Sequence, residues 1–158
     1  MKKPMSADAA LVRLEELCAR SEQAVSEVRQ KLFKWGIPES EAEKIVESLV
    51  DRRFVDDARF AEAFVRDKYR FARWGRHKIR LALIAKRIPR DYIAESLQAI
   101  DNQEYARMAF ASVQSKLRSL PTDMEPGEKR QRLYRFAIGR GYESSLVVKI
   151  LSSKSLWR

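Results

Sequence analysis

The chain has 158 residues, 45% of them hydrophobic, and a formal net charge of +10. That length buries one substantial core or a short array of small ones, but not two independent domains, so one continuous folding unit is expected. A single cysteine, Cys18, and a single histidine, His77, exclude an intramolecular disulfide and a Cys/His zinc set. No apolar run reaches the roughly 20 residues of a membrane span, and the opening MKKPMSADAA lacks the apolar segment of a signal peptide. Cytoplasmic residence without a membrane partner is the expectation.

Only five glycines and five prolines interrupt the chain, and apolar residues recur at spacings of three and four nearly throughout, which predicts an all-α fold. Nine helices are expected, at 6–20, 22–35, 39–53, 57–72, 76–87, 90–100, 102–118, 127–140 and 143–153. Cys18 lies in the first, among Leu14, Leu17 and Ala19, and reads as a small buried hydrophobe. Gly36 closes the second helix in a left-handed conformation, Ile37 re-enters the core, and Pro38 opens the third. Asp56 is placed to cap the fourth helix, with Val55 and Phe60 as a hydrophobic staple across it and Asp57 complementing the helix dipole. SLPTDMEPG, residues 119–127, is the longest connection and reads as a loop. Gly141 and Tyr142 repeat the Gly36-Ile37 arrangement.

An internal repeat underlies this order. VRQKLFKWGIPESEAEKIVESL (28–49) overlays IRLALIAKRIPRDYIAESLQAI (79–100) at an offset of 51, pairing Val28 with Ile79, Leu32 with Leu83 and Ile37-Pro38 with Ile88-Pro89. A third copy follows at an offset of 54, pairing Leu83 with Ala137, Ile88 with Tyr142 and Leu97 with Leu151. The expected architecture is three tandem three-helix repeats, 6–53, 57–100 and 102–153, stacked in an elongated curved array.

The charge is concentrated. Residues 66–90 hold ten Arg or Lys against one acid, Asp67, and RDKYRFARWGRHKIR (66–80) interleaves them with Tyr69, Phe71 and Trp74. Spacings of 7, 4 and 3 place Arg59, Arg66, Arg70 and Arg73 within roughly 60° on one helix face, with Phe60, Ala61, Phe64, Val65, Phe71 and Ala72 opposite, packing inward. Lys68 falls within the apolar face, and Glu62 is placed to pair with Arg66. Arg76, Lys78 and Arg80 continue the positive field. His77 reads as a polar helix residue. Lys129, Arg132 and Arg135 recur on one side of the eighth helix, with Arg130 beside them. Such a patch meets a polyanionic partner or is a solvated face; Tyr69 and Trp74 are base-stacking platforms or corner packing.

Arg20-Ser21, Glu27 to Leu32, Gly36-Ile37, Asp56-Asp57-x-Arg59-Phe60-Ala61, Phe64-Val65, Gly75, Ile79-Arg80 and Leu83, in this order, resemble the RecX family of bacterial recombination regulators over about residues 15–115. Two features depart from its pattern. The interval from Arg20-Ser21 to Gly36 is longer, so Ser21 lies in a longer turn or leaves capping to another residue. Arg87 stands where many relatives have glycine, so it either takes a positive φ or the turn closes differently. The resemblance implies three tandem three-helix repeats without catalytic activity of their own, which bind the RecA filament on single-stranded DNA and inhibit ATP hydrolysis and strand exchange. A monomer with no catalytic residue, metal or cofactor that opposes filament extension is the expectation.

An enzyme is a poor reading on the residues themselves: the acids are dispersed, Asp56-Asp57 is explained by capping, and no phosphate loop or nucleophile arrangement occurs. The alternative is a free-standing helical DNA-binding protein using the basic 66–80 surface on single- or double-stranded DNA. No obvious recognition helix stands out, however.

Overall fold

A computed structural model describes residues 5–158. Among them the fold is all-α, without strands: α1 (Ala7–Arg20), α2 (Val25–Lys34), α3 (Glu39–Asp51), α4 (Asp57–Arg70), α5 (Arg76–Ala85), α6 (Arg90–Gln98), α7 (Asn102–Ser119), α8 (Pro126–Gly139) and α9 (Ser144–Leu151). All nine expected helices form, most with ends a residue or more shorter than the periodicity predicts. No described helix is long and apolar enough to cross a membrane. Contacts divide the chain into two compact units: residues up to Ala63 with Leu83–Ile93, and Phe64–Ala82 with Ala94–Arg158. Residues 57–100 are thus shared between them.

In the first unit, α1 and α2 pack on α3 around Ala10, Leu14, Val28, Leu32, Ile37, Ile45, Val46, Leu49 and Val55. Cys18 is only partly buried against this cluster; burial, seconded by Glu22, raises its thiol pKa and keeps it neutral. The start of α2 differs from expectation. Ser21 is extended, with φ −156°, and Ala24 occupies the cap position without a side-chain acceptor. Two remote or reciprocal carboxylates take over: Asp57 Oδ1 accepts the Val25 N–H at 2.9 Å and Glu27 accepts the Ala24 N–H at 3.0 Å. Asp57 therefore caps α2 as well as complementing the α4 dipole. Asp56 caps α4 as expected, accepting the Arg59 N–H at 3.0 Å.

One turn recurs at the offsets read from the sequence. The N–H of Ile37, Ile88 and Tyr142 donates to the carbonyl of Leu32, Leu83 and Ala137, at 3.0, 3.1 and 3.2 Å. The residue before each has positive φ: Gly36 at 76°, Arg87 at 58°, Gly141 at 95°. This hydrogen bond is the signature of a Schellman stop, and Arg87 accepts the left-handed conformation rather than closing the turn otherwise. Left-handed strain of about 1–2 kcal/mol for a side-chain-bearing residue exceeds the roughly 0.4–1 kcal/mol that a glycine adds to the entropy of the unfolded chain. Arg87→Gly is therefore expected to stabilise the protein by about 0.5–1 kcal/mol in urea unfolding; a loss of stability would show that the Arg87 side chain contributes more than its backbone costs.

In the second unit α7 packs on α8 and α9, and α8 on α9, burying Tyr105, Ala109, Val113, Leu133, Ala137, Tyr142 and Val147. The 119–127 connection is shorter than expected: α7 runs to Ser119, Leu120 is buried, and α8 starts at Pro126.

Candidate functional site

The basic segment is built on the end of α4, the turn 71–75 and the start of α5. Inside the second unit that turn lies against the α8–α9 turn. Gly75 N–H donates to the Arg140 carbonyl at 2.7 Å and His77 N–H to the Gly141 carbonyl at 3.1 Å. The Tyr142 hydroxyl donates to the Arg73 carbonyl at 2.9 Å, and Arg140 reaches the Ala72 carbonyl at 3.2 Å. Gly75 has no room for a side chain: a Cβ there would sit 2.1 Å from the Gly141 carbonyl carbon.

Arg76 is the centre of a polar network. Its backbone N–H donates to the Tyr105 hydroxyl at 2.9 Å, and its guanidinium donates to Glu143 at 2.8 Å and Asn102 at 2.7 Å. The guanidinium lies 3.9 Å from the Tyr105 ring centroid, and the Tyr105 hydroxyl donates to the other Glu143 oxygen. Burial would raise the Glu143 pKa, but the Tyr105 and Arg76 hydrogen bonds outweigh it and hold this carboxyl below its ordinary value. Burial first, then acceptance by Glu143, raises Tyr105; burial pushes Tyr142 up to about 12. Both hydroxyls stay protonated donors at any working pH.

The expected arginine stripe is therefore divided. Arg59, in the first unit, binds Glu22 at 2.6 Å and the carbonyls of Arg53 and Phe54, closing the end of α3. Arg70 binds Glu104 at 2.8 Å. Arg73 lies beyond the end of α4 at φ 55°, so helical spacing does not place it. The expected Glu62–Arg66 pair does not form: Arg66 is exposed and has no ion pair among the described residues. Arg73, Lys78 and Arg80 likewise have no carboxylate partner among the described residues; Arg80 Nη1 lies 3.4 Å from His77 Nδ1. On α8, Arg132 pairs with Glu128 at 3.3 Å, Lys129 reaches the Thr122 carbonyl at 3.4 Å, and Arg135 is exposed.

The aromatic residues are also redistributed. Tyr69 is 5% exposed, with its hydroxyl beside Arg70 and Glu104, and is packing rather than a platform. Trp74 meets Phe64 edge-on at 6.3 Å and is flanked by Lys68 Nζ at 4.6 Å and Lys78 Nζ at 4.5 Å. Lys68, expected in the apolar face, serves as one side of this stack. Phe71, expected to pack inward, is 81% exposed, because α4 stops at Arg70 and the chain turns before the next inward position.

The residues that fix this geometry, Tyr105, Tyr142, Glu143 and Gly141, were not singled out by charge density. A signal exists nonetheless: Tyr142 aligns with the aliphatic Ile37 and Ile88, and a buried hydroxyl in an aliphatic position implies a dedicated acceptor. No group of His, Cys, Asp and Glu among the described residues has the arrangement of a metal site.

The family model for the second three-helix domain of RecX matches residues 56–97, which contain the whole basic segment. Regulatory protein RecX of Clostridium botulinum strain Eklund 17B is 32% identical over 133 residues, 84% of this chain and 62% of that protein. This chain thus spans less than two thirds of that relative's length. Regulatory protein RecX of Mycobacterium sp. strain KMS is 30% identical over 130 residues, 80% of this chain and 71% of the relative. A crystal structure of regulatory protein RecX superposes with a TM-score of 0.84 over 93% of this chain and 73% of that one, at 21% identity, a likeness of fold. An all-α fold of the same kind, a matched second domain and identity extending over most of both sequences lead to one assignment: this chain belongs to the RecX family.

Proposed function

We propose that this chain regulates RecA by binding its nucleoprotein filament, and that it inhibits ATP hydrolysis, filament extension and strand exchange. In this reading it is a cytoplasmic monomer of three three-helix repeats, 6–53, 57–100 and 102–153, with no catalytic residue, metal or cofactor. The observation that carries the assignment of the surface is that Arg66, Arg73, Lys78 and Arg80, all within residues 66–80, have no carboxylate partner among the described residues, and that Phe71 in the same segment is exposed. Arg70 and Arg76, bound to Glu104 and Glu143, hold the scaffold rather than the ligand. Unneutralised like charges repel one another, and a phosphate backbone relieves that repulsion while releasing its counterions. Phe71 offers a π-face to an unpaired base.

The surface is tested with Arg66, Arg73, Lys78 and Arg80 all replaced by Gln, which keeps much of each stem while removing the charge. The plot of log K against log salt for single-stranded DNA should become shallower by about 3 units, at about 0.7 per phosphate contact. Folding should persist, since no ion pair is removed. An unchanged slope in a folded variant would mean that these cations form a solvated face. A slope that changes with no effect on RecA would favour the second reading, a free-standing DNA-binding protein.

A further inference from the structure

Away from the basic segment, α8, α9 and residues 152–158 enclose two adjoining depressions that share Arg130 and Leu151. One, of about 430 Å³, adds Tyr134 and Val148; the other, of about 480 Å³, adds Lys154, Trp157 and Arg158. No Asp or Glu lines either one. The wall is built rather than incidental. Leu156 is buried, the Trp157 indole N–H donates to the Leu151 carbonyl at 2.8 Å, and the Arg130 guanidinium covers the Trp157 ring at 5.9 Å. Val148 nevertheless remains 55% exposed, so apolar surface is left uncovered between cations.

We propose that this cleft docks an acidic peptide segment of a partner protein. One apolar side chain lies against Tyr134, Val148 and Leu151, and flanking carboxylates meet Arg130, Lys154 and Arg158. Charge complementarity selects the sign of the partner. The floor favours one class: Val148 and Leu151 have no π-face for a base, the Trp157 ring already has Arg130 over it, and Tyr134 alone, 39% exposed, offers a free ring. A nucleic-acid strand would thus find cations but a single place to stack, whereas an apolar side chain meets Tyr134, Val148 and Leu151 together. A central apolar anchor ringed by charge is the usual energetic layout of a peptide site. This goes beyond the filament-binding reading and stands independently of it, because none of these residues belongs to the 66–80 surface.

The test uses the whole chain and fluorescence anisotropy with three labelled probes: a twelve-residue Glu/Asp peptide with one central Phe, the same peptide with Ser in place of Phe, and a dT12 oligonucleotide. The Phe peptide should bind at least about tenfold more tightly than the Ser peptide, the equivalent of roughly 1.4 kcal/mol. Val148→Asp should abolish that difference while leaving the melting curve unchanged, since the residue is exposed; Arg130→Gln should weaken both peptides. Equal affinity for the two peptides, a Phe preference that survives Val148→Asp, or a loss of dT12 binding in Val148→Asp as large as that of the Phe peptide would each overturn the proposal.

Discussion

Gly75→Ala should unfold much of the second unit, at a cost of about 3 kcal/mol or more. The added Cβ would meet only backbone: the Gly141 carbonyl carbon at 2.1 Å, the Tyr142 nitrogen at 2.2 Å and the Gly141 oxygen at 2.3 Å. No side chain can rotate away. The turn must separate from α8–α9, losing the Gly75–Arg140 and His77–Gly141 hydrogen bonds and exposing the hydroxyl network beneath. Gly139→Ala is the internal control, because a Cβ at that helical position has nothing within 4 Å; it should be neutral or gain up to about 1 kcal/mol. Thermal melts should place the two variants on opposite sides of, or one far below, the parent. A loss under about 1 kcal/mol for Gly75→Ala would mean that the two turns are not in contact.

The second large effect belongs to Glu143, whose carboxylate takes hydrogen bonds from Arg76 and Tyr105 with both ion-pair side chains less than a third exposed. Its folded pKa lies below the ordinary 4.5. A depressed pKa contributes stability that is fully present above the unfolded value and is lost as pH falls through the folded one. Stability of the parent should therefore decline below about pH 4.5. Glu143→Gln should cost about 2–3 kcal/mol at pH 7, because it leaves the Arg76 guanidinium without its countercharge, and should lose much less on acidification. The difference between parent and variant in urea midpoint, measured at pH 7 and pH 3.5, should shrink; a difference that stays constant would mean that Glu143 is not held ionised by Arg76 and Tyr105.

What sequence periodicity conveyed, and what it did not, separates along one physical line. Local devices were legible. The three helix stops at 36, 87 and 141 announced themselves through Gly or through alignment with it, the Asp56 cap through its position before an apolar run, and the nine helices through their spacing. Non-local partners were not. Arg59, Arg70 and Arg76 are bound by Glu22, Glu104 and Glu143, each more than 30 positions away in sequence, whereas periodicity sees only neighbours such as Glu62, which does not pair with Arg66. The end of α4 was misjudged for the same reason. The turn after Arg70 contains Arg73 in a left-handed conformation without glycine, held by Tyr142 and Arg140 from the far end of the unit. Hence Phe71 was assigned to the core and is exposed. Charge density singled out the basic segment; which of its arginines are held by carboxylates and which are not depends on tertiary pairing.

The central proposal, regulation of RecA through the unpaired cations of the 66–80 segment, is tested most directly by RecA-catalysed ATP hydrolysis dependent on single-stranded DNA, with the purified protein titrated in. The parent protein should suppress hydrolysis at substoichiometric to stoichiometric ratios, and the Arg66/Arg73/Lys78/Arg80 Gln variant, folded to the same melting point, should require a concentration roughly tenfold or more higher. Hydrolysis that is unaffected by the parent protein at saturating concentration would contradict the account.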